Sequence, residues 1–124
     1  RLGDTVRIKT REGPIVYPTR ARALLDAVYD WARFDTLPRA YTWIRNDLRT
    51  GRVSAVALVR CALRFGDIGT IRRFGALLES ERIDEELLGT LEKALRPSSS
   101  LIPSNPRRPK RGKINRRWGI IAND

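Results

Sequence analysis

Between Thr19 and Leu95 the chain carries, again and again, the residues that start and stop helices, and this punctuation constrains the fold more than any other feature. Thr19 stands as an N-cap before "RARALLDAVYDWARF", in which Leu24, Leu25, Val28, Trp31 and Ala32 recur at helical spacing. Pro38 suits the first turn of a second helix, with Tyr41, Ile44 and Leu48 on one side and Gly51 as its stop. Ser54 caps "AVALVRCALRF", which ends at Gly66. Asp67 caps "IGTIRRFGALLES", with Ile71, Phe74, Leu77 and Leu78 inward. Asp84 opens "EELLGTLEKAL", whose first turn holds acids where the helix dipole favours them. Trp31, Tyr41, Trp43 and Phe74 all fall on the apolar faces of these helices, which places them in the core.

The flanks follow a different period. "DTVRIKT" alternates Val6 and Ile8 with polar neighbours, "REGP" is a turn, and "IVYP" is a second apolar run that Pro18 ends, so a β-hairpin is expected. Residues 97–113 hold too many Pro, Ser and basic residues for regular structure and form a loop. After it, "RRWGIIAND" carries Trp118, Ile120 and Ile121, which a chain rarely leaves in water. Ser104 to Lys113 are therefore expected as an exposed basic loop, and Arg116 to Ile121 as a strand returning to the sheet. The expected fold is α+β: a small sheet, made of the N-terminal hairpin and the C-terminal strand, packed against a cluster of about five helices.

With 124 residues, 41% of them hydrophobic, the chain is long enough to bury its own core as a single domain, residues 1–124. It contains no Met, not even an initiator, which predicts that an N-terminal region belongs in front of it. The longest apolar stretch, "VSAVALV", falls far short of the roughly 20 residues that a membrane span needs. No signal peptide opens the chain, and a cytoplasmic protein is expected.

Few features suggest an enzyme. There is no His and only one Cys, so zinc sites of the Cys/His kind are excluded and neither metal nor cofactor is expected. Cys61 lies in an apolar helical run, where a free cysteine acts as a small hydrophobe. Asp26 and Asp30 are four residues apart, but Arg22 and Arg33 stand at the spacing of a salt-bridged ladder. No glycine-rich phosphate loop follows a strand, and no nucleophile is paired with a base.

Charge is more informative. The net charge is +11; residues 1–96 hold 18 cations and 13 acids, while residues 97–124 hold seven cations and only Asp124. Such a concentrated positive field attracts polyanions, of which nucleic acid is the commonest. Arg60 and Arg64 share a face of one helix, and Arg72 and Arg73 lie on the next; they serve either as phosphate ligands or as solvated arginines lying over apolar neighbours. With the tail, the expected basic surface comprises Arg72, Arg73, Arg107, Arg108, Lys110, Arg111, Lys113, Arg116 and Arg117. The aromatics are few and internal, so contact with nucleic acid would be mainly to phosphates and poorly sequence-specific.

Three segments resemble one family. "GPIVYPTRARALLDAV" resembles the entry into the C-terminal domain of AbiEi-type antitoxins: a short strand, then a capped helix with Arg-x-Leu-Leu-Asp. "IRRFGALLES" resembles that family's Arg-Arg-x-Gly-x-Leu-Leu pattern, here Arg72, Arg73, Gly75, Leu77 and Leu78, with Ala76 where the pattern has an aromatic. "RRWGIIAND" resembles its closing Arg-Trp strand, here Arg117 and Trp118. The resemblance implies the C-terminal domain of a bacterial phage-defence regulator, whose N-terminal winged helix-turn-helix binds promoter DNA of its own operon. It also implies a functional partner, a nucleotidyltransferase-like toxin, neutralised without a stable complex being required. A general RNA- or DNA-binding domain and a structural oligomerisation module are the alternatives.

Overall fold

The computed structural model describes residues 5–10 and 13–124, with side chains described from residue 19 onward. Strands β1 (Thr5–Thr10) and β2 (Gly13–Pro18) pair antiparallel, with Val6 opposite Tyr17 and Ile8 opposite Ile15. The hairpin expected from the alternating pattern is present; residues 11 and 12 of its turn lie outside the described residues.

Six helices follow among the described residues: α1 (Arg20–Tyr29), α2 (Trp31–Phe34), α3 (Arg39–Thr50), α4 (Ala55–Phe65), α5 (Ile68–Ser80) and α6 (Glu85–Glu92). Four N-caps work as their residue types require. Thr19 accepts from the Arg22 N–H, Ser54 from Ala57, Asp67 from Thr70 and Asp84 from Glu86. Gly51 ends α3 at φ 76°, in the left-handed region where a side chain would be strained. The first expected helix is in fact two. Asp30 leaves the helical region with ψ 32°, its N–H closing onto the Asp26 carbonyl while its own carbonyl accepts from Arg33 and Phe34 to start α2. Beyond this break Ala32 and Phe34 are exposed, and Trp31 is only half-buried.

The core joins Leu24, Leu25 and Val28 of α1, Ile44 of α3, Leu58 and Ala62 of α4, Phe74 and Leu78 of α5, and Leu88 and Leu91 of α6. Trp43 is an exception to its expected core placement and is exposed. At about 100° per residue, it stands roughly 40° outside the arc from Asp47 to Tyr41 that α3 buries.

The C-terminal segment forms a second sheet in the order β3-β5-β4, from β3 (Ile102–Pro103), β4 (Lys113–Asn115) and β5 (Ile120–Ala122). β3 runs parallel to β5, and β4 antiparallel to it. The α+β class therefore holds, but one sheet made of the hairpin and the C-terminal strand does not: they belong to separate sheets. The boundaries near the end shift as well. Lys113 lies in a strand, Arg116 to Gly119 form the turn of the β4–β5 hairpin, and the strand covers only Ile120–Ala122.

Candidate nucleic-acid interface

The turn between β4 and β5 is fixed by one close approach. Trp118 is 1% exposed and lies on the backbone of α5 at Gly75, where an added Cβ would stand 2.1 Å from the indole ring. Only glycine leaves room for the ring there. Gly119 follows at φ 65°, and a side chain on it would press on the Arg72 guanidinium.

Beside Trp118, Arg117 reaches three carboxylates on two helices. Its Nη1 donates to Glu79 at 2.9 Å, its Nε to Glu92 at 2.9 Å, and its Nη2 to Glu85. Glu85, then Glu79 and Glu92, hold its proton more firmly than usual. Burial alone would raise the Glu79 carboxyl, but hydrogen bonds from Asn115 Nδ2 and Arg117 outweigh it and hold that carboxyl below its ordinary range.

Arg72 and Arg73 are buried, not displayed. Arg73 donates through Nε (3.2 Å) and Nη2 (2.9 Å) to the Pro103 carbonyl, and its guanidinium also lies 5.9 Å from the Trp31 ring. β3 bonds to β5 through Ile102 N–H to Gly119 and Ser104 N–H to Ile121, so the Pro103 oxygen on the free edge would otherwise lack a partner. Arg73 closes that edge. Arg72 Nη1 points to the Ser100 carbonyl at 3.4 Å. Tyr41 on α3 completes the clamp by donating to the Ser104 carbonyl at 2.6 Å; its burial pushes the phenol well above its ordinary range.

The loop that follows is basic and held in place. Ser104 and Asn105 are buried, in contrast to the exposure expected of both. Asn123, just past β5, fastens the loop by its side chain. Its Oδ1 accepts from the Asn105 N–H at 2.7 Å and the Ser104 hydroxyl at 3.1 Å. Its Nδ2 donates to the carbonyls of Asn105 (2.9 Å), Arg108 (3.3 Å) and Pro109 (3.0 Å). Asn105 Oδ1 accepts from the Arg107 N–H, and the Arg111 N–H bonds to the Pro109 carbonyl. At Gly112 a Cβ would stand 2.0 Å from the Ala122 carbonyl, so the chain passes there against β5. Nothing in the sequence marked Asn123, because a single asparagine near a chain end carries no pattern.

The nine expected cations thus separate. Arg72, Arg73 and Arg117 serve the fold. Arg107 is exposed but paired with Asp35 at 2.5 Å, and lies 5.9 Å from the Trp31 ring. Arg108, Lys110, Arg111, Lys113 and Arg116 are exposed, with no ion pair among the described residues. Cys61 is buried, and Asp26 is paired with Arg22 at 3.4 Å, but that arginine is buried against the Phe65 ring rather than lying in an exposed ladder. No helix among the described residues is long and apolar enough to cross a membrane. No known family model, curated protein or solved structure matches the chain.

Proposed function

We propose that the chain is the C-terminal domain of an AbiEi-type antitoxin and regulator, and that its fastened loop and the β4–β5 hairpin after it present Arg108, Lys110, Arg111, Lys113 and Arg116 to a nucleic-acid phosphate backbone. The observation that carries the nucleic-acid reading is that stretch: five exposed cations with no ion pair among the described residues, three of them (Arg108, Lys110 and Arg111) in the loop that Asn123 fastens. A loop ordered before binding loses less entropy when it meets a polyanion. No aromatic side chain interrupts residues 107–117, so contacts would be to phosphates and weakly selective for sequence. The antitoxin assignment rests on the three segments that resemble the family, and the partner it implies is a nucleotidyltransferase-like toxin.

Alanine at Arg108, Lys110, Arg111 and Lys113 together tests both parts. With promoter duplex as ligand, the log–log salt slope should flatten by up to about 0.9 per lost phosphate contact. Protection of cells from the cognate toxin should fall as well. Lost protection with an unchanged promoter slope would move the loop's target from DNA to the toxin or its RNA substrate. A weakened slope with full protection would leave a general nucleic-acid-binding domain. Retention of both properties would reject the proposal.

A further inference from the structure

A second cationic site lies away from the loop. A groove of about 450 Å³ opens between the start of α1, the α3–α4 connection and α4. Four arginines line it: Arg20, Arg52, Arg60 and Arg64. No carboxylate stands among the described lining residues, and the floor is apolar, with Ala21, Val53 and Ala57. Arg20 is bonded to Asp47, a buried carboxylate that does not line the groove. Arg52, Arg60 and Arg64 are exposed and have no ion pair among the described residues. Arg64 also lies 5.1 Å from the Phe65 ring, which holds its guanidinium at the groove wall.

From this arrangement we propose that the groove binds a small organic ligand bearing clustered phosphates, of the nucleoside triphosphate class. Neighbouring arginines repel one another, and an exposed set without acids gains when an anion enters between them. Guanidinium forks match phosphate oxygens in pairs, which a lone ammonium does not. A groove of this volume falls in the range of roughly 300–1,000 Å³ that holds small ligands, and its apolar floor suits the organic part rather than a running backbone. The site is separate from the loop. Arg107 packs at Trp31, past the far end of α1 from the groove, roughly 15 Å along ten residues of helix. The proposal therefore does not depend on the loop's role. It also gives Arg60 and Arg64, which share a helix face, a function apart from the buried Arg72 and Arg73.

The test is equilibrium binding of ATP, without added metal, to the full chain, to Arg60→Ala/Arg64→Ala and to Arg108→Ala/Lys110→Ala. Saturable binding to the parent should weaken at least tenfold in the groove variant and change less than twofold in the loop variant. Alanine at these exposed helical positions should leave the fold intact, and circular dichroism checks this; Arg52→Ala, in the connection before α4, provides a second variant outside any helix. An excess of single-stranded oligonucleotide without terminal phosphates should not displace ATP from the parent. Absence of saturable binding, an equal loss in the loop variant, or displacement by that oligonucleotide would each overturn the proposal.

Discussion

Two groups of arginines within one C-terminal segment and the helix beneath it differ in what their guanidiniums meet. Arg73 and Arg117 find acceptors inside the molecule: the Pro103 carbonyl for one, three carboxylates for the other. Arg108 and Arg111, only a few residues from Arg117, find no ion pair among the described residues. Arg117 belongs to the same acid-free run as Arg108 and Arg111, so charge density along the chain does not distinguish it from them. What separates the structural cations from the exposed ones is whether the fold brings acceptors to them, and that depends on contacts 25 to 38 residues apart. The comparison predicts a steep gradient of mutational cost across the segment.

The largest cost should fall where the turn meets α5. Trp118→Ala should destabilise by about 3–5 kcal/mol, the range for removing a buried large aromatic. Gly75→Ala should cost about 1–3 kcal/mol, because its methyl would enter the space of the indole ring. Urea unfolding measures both. A Gly75→Ala protein as stable as the parent would mean that Trp118 does not pack on that glycine.

Arg73→Ala comes next. It removes two hydrogen bonds to the Pro103 carbonyl and leaves that oxygen short of a partner, at an expected cost of about 2–3 kcal/mol. Lysine at the same position restores charge but not the two-pronged contact, and should recover less than half of the loss. Full recovery by lysine would show that charge alone matters there.

Much of this gradient was not legible in the sequence, for reasons that differ by residue. Four helix starts were legible because caps are local: Thr19, Ser54, Asp67 and Asp84 each act on a backbone N–H two or three residues away, whereas the break at Asp30 was not. The return of the chain end to the core was legible from Trp118, Ile120 and Ile121, since burial follows side-chain chemistry. Sheet membership was not. β3 has two residues, one of them proline, too few to display an alternating period. The roles of Arg72 and Arg73 were hidden because their acceptors are backbone carbonyls, which every residue carries. Of the candidate interface, the loop's charge could be read from composition; its fastening by Asn123 could not.

Acid should reveal the Arg117 cluster. Glu79 is held below its ordinary value of 4.5 in the folded chain, so its stabilising contribution is present above about pH 4.5 and is lost as pH falls through the lower folded value. Glu79→Gln should flatten the acid side of the stability profile while leaving stability near neutral pH lower by about 1 kcal/mol. Unfolding measured between pH 3 and 6 decides this. Parallel acid limbs for the two proteins would remove Glu79 from the account.

The smallest stability effect should belong to the loop, and there it carries the most information. Alanine at Arg108, Lys110, Arg111 and Lys113 removes four exposed side chains with no ion pair among the described residues, so unfolding should change by less than about 0.5 kcal/mol. Relief of like-charge repulsion gives the change a slightly stabilising sign at low salt, and this should fade as salt rises. Asn123→Ala is the contrasting variant. It keeps every cation but removes the hydrogen bonds that fasten Asn105, Arg108 and Pro109, so it should cost about 1–2 kcal/mol and weaken nucleic-acid binding without altering its salt slope. The two variants therefore dissociate in opposite directions: one loses the slope and keeps stability, the other loses stability and keeps the slope. If the quadruple variant instead unfolded as readily as Arg73→Ala, those cations would have partners within the molecule, and the division between the two groups of charges would fail.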